Sequence, residues 1–142
     1  MIVLDASVAV KAYFEEAGSE EATALLTGQE RLQAPELIRI EVAAALCRRV
    51  RKGELAAEEA KVRSGHWLAR LKEGLFTLTP DQELLPDAIE LASGLKHPLQ
   101  DCLYLAAARR MDAELITADR AFQERASPLY GRISLLRGCE RN

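Results

Sequence analysis

The sequence predicts an α/β domain, a three-layer α/β/α sandwich in which a central, mainly parallel sheet is covered by helices on both faces. Three observations lead there. Short apolar runs of strand length alternate along the chain with longer segments whose apolar residues recur at helical spacing. The 142 residues contain no internal repeat, no low-complexity tract and no linker rich in Gly, Pro or Ser, so one domain spanning 1–142 is expected. Hydrophobic residues make up 49% and charged residues 29%, which suits a buried core under a solvated surface.

The elements follow in order. Ile2-Val3-Leu4 reads as a buried strand that stops at Asp5. Ser7 sits where a helix N-cap is wanted, ahead of Val8, Val10 and Tyr13. Ser19 with Glu20 and Glu21 opens another helix, its acids suiting the positive end of the dipole. Gln33-Ala34-Pro35 ends a short strand and puts proline at the first helical position; helix is expected over 36–52, with Gly53 ending it. Leu37, Ile40, Ala44 and Ala45 make that helix's apolar stripe. The next helix, 56–72, carries Ala60, Trp67, Leu68 and Leu71 on one stripe. Phe76 to Thr79 alternates as a strand. Helix 81–96 places Leu84, Ala88, Leu91, Ala92 and Leu95 on one face, and Pro86 must lie in its first turn or kink it. Pro98 precedes a helix over 100–111; then come a strand over Glu114 to Thr117, a short helix over 119–124 and a last strand over 132–136.

The composition also excludes classes. No apolar run approaches the ~20 residues that span a bilayer, and Asp5 interrupts the opening apolar run where a signal peptide would continue, so a cytoplasmic protein is expected. Cys47, Cys102 and Cys139 are an odd number at unpatterned spacing, which fits neither a disulfide framework nor a zinc site and predicts small, buried, reduced side chains. The net charge of −3 argues against a simple basic nucleic-acid coat while leaving room for a local basic patch.

The chemistry lies in the acids. Ligands of open parallel sheets bind beyond the carboxyl ends of the strands, where strand order reverses. Asp5 follows the first strand and Asp119 follows the strand ending at Thr117, so neighbouring strands would bring both carboxylates to one edge. Asp101 lies in the first turn of its helix; Glu41 lies about a turn and a half into a helix rich in apolar residues. Each has a plain structural alternative: a loop acid at Asp5, an N-cap at Asp119, a dipole partner at Asp101, a solvated face at Glu41. Together they describe acids converging on one sheet edge. Like charges ~4 Å apart repel by ~4 kcal/mol per pair at an effective dielectric near 20, so such a cluster either takes up protons or holds a cation. An all-oxygen donor set suits Mg²⁺ or Mn²⁺, and a divalent ion so held serves phosphodiester chemistry.

Four segments, Ile2-Val3-Leu4-Asp5-Ala6-Ser7, Ala34-Pro35-Glu36-Leu37 leading to Glu41-Val42, Leu99-Gln100-Asp101-Cys102-Leu103-Tyr104-Leu105-Ala106, and Leu115-Ile116-Thr117-Ala118-Asp119-Arg120-Ala121-Phe122, occur in this order across nearly the whole chain. In them the sequence resembles the PIN-domain family, and within it the small prokaryotic VapC-type toxins. The resemblance implies adjacent first and fourth strands and metal-dependent endoribonuclease activity. By position Asp5, Glu41, Asp101 and Asp119 match the family's acidic quartet, with Asp5, Asp101 and Asp119 on Mg²⁺ or Mn²⁺ and Glu41 orienting or deprotonating the attacking water, or helping to hold a second ion. Ser7 and Thr117 match its small hydroxyl positions. It also implies an RNA substrate, a cognate antitoxin and a homodimer. The chain departs at Ala44, where such toxins often carry Asn, and Glu124 stands where a further acid is common, with a surface role as the alternative.

An acidic protein needs a basic path for RNA. Arg48, Arg49, Arg51 and Lys52 end the helix that carries Glu41 and are the candidates for phosphate contact, with capping of the helix C-terminus as the alternative. Arg109, Arg110, Arg132, Arg137 and Arg141 are further basic positions. Aromatic residues are 5% of the chain, too few to expect base stacking to read sequence. His66 and His97 adjoin no motif and are expected in surface or core roles, and Trp67 in the core or a dimer contact. Two rival functions remain at this level: a metal-dependent phosphatase or phosphotransfer domain, which would prefer an acid where Ser7 stands, and a non-catalytic PIN-like RNA-binding module.

Overall fold

A computed structural model describes residues 1–140. Strands β1 (Ile2–Leu4), β2 (Leu32–Pro35), β3 (Phe76–Thr79), β4 (Glu114–Thr117) and β5 (Ile133–Leu135) form one sheet in the order β3-β2-β1-β4-β5, and every neighbouring pair is parallel. The helices are α1 (Ala6–Lys11), α2 (Ser19–Thr27), α3 (Ile38–Arg51), α4 (Ala57–Lys72), α5 (Asp81–Leu95), α6 (Leu99–Met111) and α7 (Arg120–Ala126). The expected three-layer α/β/α architecture is found. Ile2, Val3 and Leu4 are buried in succession, so the central strand is covered on both faces, as an unbroken apolar run in a parallel sheet requires.

Chain order sets the functional edge. From β1 the chain builds outward through β2 and β3, then returns to place β4 and β5 on the other side. Strand order therefore reverses between β1 and β4, whose register pairs Leu4 with Ile116. Asp5 and Thr117 come next at the carboxyl ends. Helix α6 packs across β1, β2 and β4 with every residue from Cys102 to Ala108 buried. Its first turn, with Asp101, lies at the same carboxyl edge as Asp5.

Several local expectations are corrected. The first helix begins at Ala6 with Asp5 at its N-cap, so Ser7 lies inside the helix, where its hydroxyl serves the neighbouring strand. Pro35 ends β2 opposite Thr79, and α3 begins only at Ile38, because residue 36 continues the ladder by donating to the Thr79 carbonyl. Glu41 consequently falls in the first turn of α3. The buried stripe of α3 is Ile38, Val42 and Leu46; Ile40 is 67% exposed and Ala44 is exposed too. On α4, Trp67 is wholly buried while Leu68 faces solvent. Trp67 is therefore a core residue. Pro86 lies past the first turn of α5 on an exposed face, where water can satisfy the Gln82 carbonyl that its missing N–H leaves free. Cys102 and Cys139 are buried, but Cys47 is exposed, on the solvent side of α3. No helix among the described residues is long and apolar enough to cross a membrane.

Candidate active site

Asp5 is buried just beyond β1, and its amide donates to the Ile116 carbonyl at 3.0 Å, adding a rung to the β1–β4 ladder. Its Oδ2 accepts from the Ser7 and Thr117 hydroxyls, each at 2.7 Å. Those hydroxyls accept in turn, Ser7 from the Ala118 amide at 3.0 Å and Thr117 from the Asp119 amide at 3.1 Å. The two small side chains thus tie the end of β1 to the turn after β4, with the carboxylate of Asp5 between them. This turn gives Asp119 its place: it caps α7, accepting from the Phe122 amide on Oδ1 at 3.2 Å. Capping and a position at the acidic edge coexist in this residue.

The other acids arrive on helix N-terminal turns. Glu41 stands in the first turn of α3, and the buried Tyr104 hydroxyl of α6 donates to its Oε1 at 2.6 Å. Asp101 stands in the first turn of α6, where the helix dipole favours negative charge, and Nε2 of His97 meets its Oδ2 at 2.6 Å. Among the described residues, His97, Asp101 and Asp119 each present a ligand atom within 4.8 Å of the other two.

Burial and repulsion from neighbouring charge displace Asp5, Glu41 and Asp101 upward from the usual carboxylate range. Burial pushes Asp5 up to about 7, against the hydrogen bonds from Thr117 and Ser7 and with the help of the Asp101 and Glu41 charges. Burial likewise raises Glu41, where the Tyr104 hydrogen bond and Arg48 oppose Asp101 and Asp81. It raises Asp101, where His97 opposes the repulsion from Asp119. The same repulsions join Asp5, Glu41, Asp101 and Asp119 in one electrostatic field. A site of oxygen donors with carboxyls displaced upward fits a hard dication, which would compete with the protons they retain.

A pH dependence follows. A carboxyl raised from 3.8 to about 7 by folding contributes stability that is fully present below about pH 4 and is lost as pH rises through about 7. In EDTA the melting temperature should therefore fall as pH rises from about 4 to about 7 and level off above that. Asp5→Asn should flatten that fall, and Mg²⁺ at the upper pH should reverse it in the unsubstituted protein. Thermal melts across the range check all three.

A family model described as the PIN domain matches residues 2–128. The chain belongs to the PIN-domain family. It is 33% identical over 128 residues to Ribonuclease VapC3 of Pyrobaculum aerophilum, an alignment covering 87% of this chain and 93% of that protein. The matched span includes the acids at positions 5, 41, 101 and 119 and stops before β5.

Three features of this PIN domain escaped the sequence. His97, expected in a surface or core role, makes the hydrogen bond to Asp101; its position four residues ahead of a candidate acid, just before Pro98, was the available signal. Tyr104, three residues after Asp101 on the same helix, points at Glu41 from another element, which no local pattern reveals. Arg49 is already engaged: it pairs with Glu16 at 3.0 Å and with Glu54 at 3.6 Å, and its guanidinium lies 4.0 Å over the Phe14 ring. That leaves Arg48, Arg51 and Lys52 as the exposed cations of the cluster, around the C-terminus of α3. Glu124 is exposed on α7. Arg109, Arg110, Arg132 and Arg137 are exposed, with Arg132 bound to Asp112, and Arg141 lies outside the described residues.

Proposed function

We propose that this PIN domain is a metal-dependent endoribonuclease and the toxin of a type II toxin–antitoxin pair. The observation that carries the reading is the convergence of acids at the strand-order reversal: buried Asp5, held by Ser7 and by Thr117, which also receives the Asp119 amide, and Asp101 and Asp119 with ligand atoms within 4.8 Å of each other. The family membership and the ribonuclease relative support RNA as the substrate. Asp5, Asp101 and Asp119 would hold Mg²⁺ or Mn²⁺. Bound there, the ion would supply charge stabilisation to the phosphoryl oxygens and make a nearby water more acidic.

The chain's own residues do the rest. Ser7 and Thr117 fix Asp5 by donating to one oxygen, which leaves Oδ1 for a ligand. Glu41, held on one oxygen by Tyr104, orients the attacking water or takes its proton on the other. Its upward-displaced pKa makes it a better base than an ordinary surface glutamate. Arg48, Arg51 and Lys52 would contact the RNA backbone, drawing phosphate to an otherwise acidic edge. A cognate antitoxin belongs to the same reading, supported by the likeness to the VapC relative; a homodimer and a cytoplasmic location are proposed with it.

Incubation with structured RNA and, separately, with a phosphomonoester, each with Mg²⁺, Mn²⁺ or EDTA, tests it. RNA cleavage that requires either ion and stops in EDTA is the expected result. Turnover of the phosphomonoester alone would point to a phosphatase, and inactivity in every tube to a binding module.

A further inference from the structure

We infer that His97 is a positioning residue that holds Asp101 in its metal-binding orientation, and that Phe122 couples this hold to Asp119. The inference rests on the proposal that Asp101 and Asp119 bind the metal.

The placement of His97 is built by the chain on either side. Helix α5 ends in a left-handed turn at Lys96 (φ 53°), and the His97 amide closes it by donating to the Ala92 carbonyl at 3.2 Å. Pro98 follows and restricts the backbone of His97 to extended conformations. The turn is tied down from α7, where Arg125 donates to the Lys96 carbonyl at 2.7 Å. The imidazole, only 8% exposed, then lies face to face on the Phe122 ring, centroids 4.9 Å apart and planes 14° apart. A ring held this way has little freedom to turn. Its Nε2 is 2.6 Å from Asp101 Oδ2, and because a carboxylate oxygen only accepts, that nitrogen carries the proton.

Phe122 contributes twice. Its ring stacks on His97, and its amide donates to Asp119 Oδ1. One residue of α7 therefore sets the relation between two acids that arrive on different helices. Each acid has one oxygen committed inside the protein, which leaves Oδ1 of Asp101 and Oδ2 of Asp119 as ligand atoms. With Nε2 spent on Asp101, the imidazole is a donor that orients a ligand, and the set facing Mg²⁺ remains all oxygen.

Manganese titrations by calorimetry on the full chain and on His97→Ala, His97→Gln and Asp101→Asn test the assignment, with metal-free melts confirming that each variant folds. The Gln side-chain nitrogen takes the place of Nε2 as a donor. His97→Ala should raise the Mn²⁺ dissociation constant roughly 10- to 100-fold, His97→Gln should return it to within about threefold of the parent, and Asp101→Asn should weaken binding at least as much as His97→Ala. Parental affinity in His97→Ala beside impaired Asp101→Asn would overturn this inference and leave the metal reading standing. Equal impairment in His97→Gln and His97→Ala would also overturn it, since the donor would not be what matters. Parental affinity in Asp101→Asn would remove the metal reading itself, and this inference with it.

Discussion

Asp5→Asn is expected to abolish RNA cleavage while leaving the fold intact. The substitution is nearly isosteric, and the Asn carbonyl oxygen can accept from Ser7 and Thr117 as Oδ2 does now. What it removes is the charge. Without it the strand-order reversal loses its most buried anion, and a dication there loses a ligand that no neighbouring group can replace. Charge stabilisation by such an ion is worth several kcal/mol, so cleavage should fall by at least about 10³-fold at saturating Mg²⁺. Stability should move the other way. Burial opposes the ionised Asp5 carboxyl in the metal-free protein, and a neutral amide avoids that cost. Near pH 8 in EDTA, Asp5→Asn should therefore melt no lower than the unsubstituted chain, and Mg²⁺ should no longer raise its melting temperature. Gel-based cleavage assays and paired melts decide it; a variant that cuts RNA at the parental rate would sink the assignment of Asp5.

Trp67→Ala should produce the largest loss of stability. Trp67 is the one fully buried residue of α4, with Leu71 partly buried against the core beside it. Its ring packs edge-on against Tyr13 and Phe76, with centroids 6.3 and 6.0 Å away, and its Nε1 donates to the Arg39 carbonyl at 3.3 Å. Truncation to Ala removes the apolar contact and leaves a cavity, together about 3–5 kcal/mol. Trp67→Phe keeps much of the contact but removes the indole donor from an Arg39 carbonyl that still accepts the helical Ala43 amide, for about 0.5–1.5 kcal/mol. Both values are read from urea unfolding. Arg39 precedes Glu41 by two residues on α3, so the loss should also loosen Glu41 and lower cleavage in Trp67→Phe under conditions where the variant is fully folded.

The architecture was legible because its signals are local. The strand-length runs at Ile2 to Leu4 and Glu114 to Thr117, alternating along the chain with helical stretches, predict a mainly parallel sheet from local pattern alone. The strand over Phe76 to Thr79 and the face Leu84, Ala88 and Leu91 came out where periodicity placed them. Reading failed where two local patterns competed. Ile40 and Ala44 have the spacing of a buried stripe, but so do Ile38, Val42 and Leu46, and only the direction in which α3 leaves β2 chooses between them. Pro35 is as good a first helical residue as a last strand residue until β3 lies beside it.

The candidate site divides the same way. The sequence alone determines that Asp5 and Asp119 follow strands and that Asp101 opens a helix, because those positions depend on neighbours in the chain; Glu41 reached the first turn of its helix only once Pro35 was fixed in β2. It also places four cations, Arg48, Arg49, Arg51 and Lys52, at the end of the helix that carries Glu41. Only the tertiary structure decides which oxygen of each acid is already committed: Ser7 and Thr117 on Asp5, Tyr104 on Glu41, His97 on Asp101, the Phe122 amide on Asp119. The Thr117 and Tyr104 partners come from elements far along the chain, brought in by the β1–β4 pairing and by α6 lying across the sheet. Burial is decided there as well, and desolvation is what makes the Asp5 carboxyl hold its proton to about 7, a property of the folded surroundings that no single residue carries.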